Sequence, residues 1–213
     1  MSISKLSVSI SLVAFAAMSQ AVPLVPGAYT PLPGIPFIAG TVLQDVLTPF
    51  SFSADGGTIS GEVQNRVTQK ADGTLLFEWR VMNDSSSAGA IQDFRLGNFI
   101  TGAYDGNWES AGLGDVNPTQ AFLFNMPGGF VNFNFDGPNG GSSLAPGLGS
   151  YFFYLNTNAT QYGMVAAYDL TNDGETMNSN IYSTFAPMAT PEPAPIAALG
   201  VGALLLVRRR KAR

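Results

Sequence analysis

The sequence predicts an all-β chain: one antiparallel β-sandwich or jelly-roll-like domain, preceded by a signal peptide and followed by a short C-terminal hydrophobic helix. Three observations point there. Apolar and polar residues alternate with period two over several short runs. Turn-forming residues separate those runs, supplied by 24 Gly and 14 Pro in 213 residues. Between the two ends, no stretch combines helical apolar spacing with caps.

The first element is an address. Lys5 supplies the positive charge, residues 6–17 (LSVSISLVAFAA) the apolar run, and Ser19 and Ala21 the small residues at positions −3 and −1. These stand in the order that signal-peptide processing needs, so cleavage is expected after Ala21 and residues 1–21 are removed. Residues 22–40 follow as a Pro-rich arm, with five prolines in the sixteen residues VPLVPGAYTPLPGIPF. Proline fixes φ and removes a donor, so the arm is extended, as a linker or as an edge segment lying along the domain.

The sandwich is expected over residues 41–187. Its clearest part is a hairpin. Ile59, Gly61, Val63, Asn65 and Val67 alternate with Ser60, Glu62, Gln64 and Arg66, and Lys70-Ala71-Asp72-Gly73 makes the turn. The return strand places Leu75, Phe77, Trp79 and Val81 on one face, with Glu78 and Arg80 on the other. Further strands are expected over residues 91–100, 121–126, 130–135, 151–156, 164–170 and 181–185. Residues 137–149 read as a loop. About nine short strands divided by turns fit a sandwich.

Composition narrows the chemistry. The chain has no His and no Cys, which excludes disulfides, thiolate metal sites, cysteine nucleophiles and His-based triads. Residues 22–190 carry four cations (Arg66, Lys70, Arg80, Arg95) against 14 acids, a net charge of −10. That balance disfavours nucleic acid, whose binding rests on neutralising phosphates. Neither a cofactor nor a metal site is expected.

The remaining candidates are few. Glu62 and Glu78 flank one hairpin and are the pair a carboxylate-based glycoside hydrolase would use, although a solvated sheet face explains both. Asp169-Leu170-Thr171-Asn172-Asp173-Gly174-Glu175 resembles the start of a calcium loop, with Asp169 and Asp173 at positions 1 and 5. However, Thr171 stands at position 3 and Asn180 at position 12, so a strand ending in a turn is the simpler reading. Trp79 is in phase with the core. Trp108 lies in an apparent loop, as a sugar-stacking ring or an anchor packed on the sandwich.

The C-terminal element spans residues 190–213. Pro191-Glu192-Pro193 leads into the apolar run 196–207 (IAALGVGALLLV), and Arg208, Arg209 and Arg210 open a basic end. Such a basic cluster favours the cytoplasmic face. This tripartite end resembles the bacterial PEP-CTERM sorting signal. The resemblance implies delivery through the secretion translocon and transient recognition of Pro191, Glu192 and Pro193 by an exosortase-type membrane protease. It also implies a membrane-anchored precursor, a mature form at the cell surface or outside the cell, and an association with exopolysaccharide or biofilm. The expectation is therefore a non-enzymatic cell-envelope or extracellular-matrix protein. The alternatives are a carbohydrate- or calcium-binding surface module, with Trp108, Asp169 or Asp173 as contacts, and a carboxylate-based glycoside hydrolase.

Overall fold

The computed structural model describes residues 21–54, 56–137 and 141–188. The expected signal peptide before Ala21, Pro191-Glu192-Pro193, the apolar run and the basic end lie outside the described residues. Within them the chain forms strands and no helix. In chain order these are β1 (Val22–Pro23), β2 (Tyr29–Pro31), β3 (Thr41–Ala54), β4 (Gly57–Gln69), β5 (Leu75–Asn83), β6 (Ile91–Gly97), β7 (Asp105–Trp108), β8 (Gln120–Leu123), β9 (Val131–Asn134), β10 (Phe153–Asn156), β11 (Tyr162–Asn172) and β12 (Tyr182–Pro187).

Two six-stranded sheets pack as a sandwich. The first runs β1-β7-β10-β5-β4-β3 and the second β12-β11-β6-β9-β8-β2. Neighbouring strands pair antiparallel throughout. The β4–β5 hairpin is in register from Gly61↔Asn83 to Gln69↔Leu75. Its turn is closed by Lys70 N–H to Thr74 O (2.9 Å) and Gly73 N–H to Lys70 O (2.9 Å), with Gly73 at φ 83°. Asp72 accepts from both the Thr74 amide and hydroxyl (2.9 and 2.6 Å), an Asx-type lock on the turn.

Two segments differ from expectation. Residues 105–108, expected as a turn, form β7 between β1 and β10. The ladder offered by β10 outweighs the turn preference of Asp-Gly-Asn, and Gly106 leaves room for the Leu24 side chain. The Pro-rich arm takes the edge-segment alternative rather than the linker one, and what differs is where the sandwich starts. β1 extends the first sheet at Val22↔Gly106, and β2 extends the second at Tyr29↔Phe122, so the sandwich begins at residue 22 rather than 41. Both strands are edges, where a missing proline donor costs no ladder bond.

Aromatics fill the space between the sheets. Trp79 is 1% exposed, and its ring centroid lies 5.5 Å from Phe94, 5.9 Å from Phe99 and 6.2 Å from both Phe133 and Phe153. Its indole N–H donates to Thr184 Oγ1 on β12 (2.8 Å), and that hydroxyl donates to Asn65 Oδ1 on β4 (2.9 Å). The relay ties the two sheets together through a buried polar chain, with the burial cost of each group offset by its partner.

Candidate functional site

The outer face of the second sheet carries an open groove of about 480 Å³. Register places Asp169 of β11 opposite Arg95 of β6. Arg95 Nε donates to Asp169 Oδ1 at 2.7 Å, and its Nη2 donates to Oδ2 in a two-pronged ion pair. Gly97 keeps the floor low, because a Cβ there would sit 3.0 Å from the Phe130 ring. Phe124, Phe130, Met126 and Ile181 stand exposed around the pair. Asn98, at φ 58°, closes one end by donating from Nδ2 to Val165 O (2.7 Å). The arrangement offers apolar walls and one charged pair with no net charge.

Asp173 does not join Asp169. The 169–175 segment is strand as far as Asn172 and then a turn, closed by Glu175 N–H to Asn172 O (2.9 Å), with Gly174 at φ 80°. Asp173 accepts from Ser143 Oγ (2.8 Å), while Asp169 is engaged by Arg95. Extended backbone separates the two carboxylates by about 13 Å at ~3.3 Å per residue. The segment is a strand ending in a turn, and no cluster of three or more metal-ligating acids occurs among the described residues.

Trp108 is an anchor for the arm. Its indole N–H donates to Leu32 O (3.0 Å), and its ring packs against Gly34 and lies 5.2 Å from Tyr151. Ala21, the expected cleavage residue, precedes β1 and packs against a small cluster of Ile38, Leu76 and Tyr154.

Glu62 and Glu78 share the outer face of the first sheet but do not converge. Glu62 is opposite Met82 and Glu78 is opposite Arg66, an offset of four residues or about 13 Å along the strands. That exceeds the ~5–10 Å that paired glycosidase carboxylates need. Glu62 is exposed, whereas Glu78 is 3% exposed.

Glu78 has a different acidic neighbour. Thr68 Oγ1 on β4 donates to Glu78 Oε2, Tyr154 of β10 sits directly opposite in register, and the Glu109 charge acts on Glu78 from the end of β7. Burial pushes the Glu78 carboxyl up to about 7; the Glu109 charge adds to this and the Thr68 bond opposes it. Burial raises Glu109 too, against the Ile38 N–H it accepts at 3.1 Å. The Tyr154 hydroxyl is fully buried, finds no hydrogen-bond partner among the described residues, and is held in its neutral form by burial and by both carboxylates. Glu109 escaped the sequence reading because the strand that brings it to this face was read as a loop, and Tyr154, though on an expected strand, because its neighbours across the sheet come only from register.

No family model, no curated protein and no solved structure matches the chain.

Proposed function

We propose that this chain is a non-enzymatic exported protein of the cell envelope or extracellular matrix, sorted by an exosortase-type protease and associated with exopolysaccharide or biofilm. The observation that carries this reading is the pair of addresses on one chain. Ser19 and Ala21 end an N-terminal signal peptide, and Pro191-Glu192-Pro193, the apolar run and Arg208, Arg209 and Arg210 make a C-terminal sorting signal. The secretion translocon delivers the domain. Residues 196–207 halt in the membrane as a short helix, and cleavage then frees the mature form to the surface or beyond.

The folded part supports a passenger role. Glu62 and Glu78 stand too far apart for paired acid–base work, and Glu78 and Glu109 lie covered. The chain passes between the sheets at β1–β2, β2–β3, β5–β6, β6–β7, β7–β8, β9–β10 and β10–β11, which favours the jelly-roll-like description. Intact-mass measurement of the protein recovered outside the cell tests the routing. A mass beginning at Val22 and lacking residues 208–213 is expected; a mass that retains the basic end overturns the processing.

A second reading, a carbohydrate-binding surface module, is favoured by Asp169 lining the groove. Sugars offer apolar C–H faces to rings such as Phe124 and Phe130, and hydroxyls to the Arg95–Asp169 pair. Calorimetry with the secreted polysaccharide tests it. Binding heat is expected from the parent, with affinity at least tenfold weaker in Phe130→Ala. A flat trace from the folded parent removes this reading.

A further inference from the structure

The arm does more than extend the sheets. Residues 32–40 link β2 to β3, and Ile35 and Ile38 lie against Leu76 and Tyr154 on the outer face of the first sheet. Their first half is tied down repeatedly. Trp108 Nε1 donates to Leu32 O (3.0 Å), Gly34 N–H to Asn107 Oδ1 (2.8 Å), Ile35 N–H to Trp108 O (2.9 Å), Ser110 N–H to Ile35 O (2.7 Å) and Ala111 N–H to Pro36 O (3.1 Å). Beyond Pro36 the hold changes. Ile38 N–H donates to Glu109 Oε1 at 3.1 Å, the Ile38 side chain packs on Leu76 and Tyr154, and Gly40 lies against the Thr68 methyl group. The distal half of the strap therefore lies over the Glu78, Tyr154 and Glu109 cluster.

We propose that residues 37–40 are a pH-operated cover, held shut while Glu78 keeps its proton and released when Glu78 and Glu109 are both ionised. Three geometric facts carry this. Both carboxyls are buried, at 3% and 5% exposure. The strap is anchored to one of them through Ile38. Tyr154, between them, is buried with an unpartnered hydroxyl, so this pocket already leaves one polar group unpaired.

The surroundings offset a second negative charge only in part, because Arg66 favours the ionised form of both carboxyls while being shared with Asp45. From β4, Thr68 and Arg66 face the pair, but the Arg66 guanidinium donates to Asp45 of β3 (2.8 Å) and lies over the Phe152 ring. Asp45 adds negative charge at Glu78. On β5 itself, Arg80 donates to Ser150 O (3.1 Å), and Lys70 at the hairpin turn donates to Asn156 Oδ1 (2.6 Å). With both carboxylates charged, desolvation and mutual repulsion act against the closed strap, and lifting it admits water. The sign follows directly. The closed state binds a proton that the open state gives up, so opening grows as pH rises towards and through neutrality.

Amide hydrogen exchange on the exported chain tests the cover. Rates at residues 37–40 are corrected for intrinsic pH dependence and referenced to the β5 amides. Between pH 5.5 and 8.5 a rise of at least tenfold in the open fraction is expected, and the Glu78→Gln/Glu109→Gln double variant is expected to show none. A parent without the rise, or a double variant with the same rise, overturns the proposal. If the double variant loses β5 protection and so fails to fold, the parent still decides. Nitration of Tyr154 relative to exposed Tyr29 must increase over the same interval, and a constant ratio overturns the cover.

Discussion

Glu78 keeps its proton to about pH 7 because burial, reinforced by the Glu109 charge, outweighs the Thr68 hydrogen bond. Its folded-state value lies above the 4.5 expected when unfolded, so proton binding favours the fold. That contribution is complete below the ordinary carboxylate range and is lost as pH rises to about 7. Glu78→Gln retains the size and an acceptor for Thr68 but cannot ionise. Urea unfolding of the parent should therefore weaken by up to about 3 kcal/mol from this group between pH 4.5 and 8, at ~1.4 kcal/mol per pKa unit. The glutamine variant should lack that component, and equal pH slopes in the two proteins would refute the assignment. Trp79, the next residue, was legible in the sequence because its phase with Leu75 and Val81 marks an inward face. Glu78 was not. Its alternation with Arg80 describes an outward face correctly, but local pattern cannot show that a segment forty residues upstream lies over that face.

At the scale of elements, the β4–β5 hairpin was the most legible part, since alternation and turn chemistry agree over its whole length. β3 was visible only as a general β pattern, because much of it is an edge with exposed residues on both faces. A strand of 14 residues at a sheet edge invites pairing with other chains. Ser51 shows which backbone groups face outwards, since its N–H receives cover from the Tyr182 hydroxyl (3.3 Å) rather than from β4. Pro49 has the same parity and so removes a donor from the free edge, and a bulge at Val42/Gln44 interrupts the other end. Pro49→Val should restore an unbroken edge while leaving the β4 ladder intact. Sedimentation velocity should then show dimers or larger species at concentrations where the parent is monodisperse. An unchanged sedimentation profile would mean that Pro49 does not guard the edge.

At the scale of the whole molecule, the arm couples elements that are otherwise separate. β1 joins the first sheet, β2 joins the second, and residues 32–40 return across the first sheet to cover its acid pair. Proline content made its extended backbone legible, but not its destination, because the contacts that place it are made with residues distant in sequence: Val22 with Gly106, Tyr29 with Phe122 and Ile38 with Glu109. The groove was equally hidden. Asp169 was picked out for calcium, yet its partner is Arg95 on another strand, a pairing that only the register reveals. If the arm is structural, its removal must cost stability. Leu24, Leu32 and Ile38 are each at least nine-tenths buried, and burial of one such side chain is worth ~1.5–3 kcal/mol as an upper-bound estimate. For a domain of this size ~2–4 °C of Tm accompanies each kcal/mol, so a protein beginning at Thr41 should melt about 10 °C or more below one beginning at Val22. A mere linker would leave the two melting curves superimposed. A staple should also leave Trp108 exposed when it is removed, with a red-shifted emission that the buried Trp79 does not share.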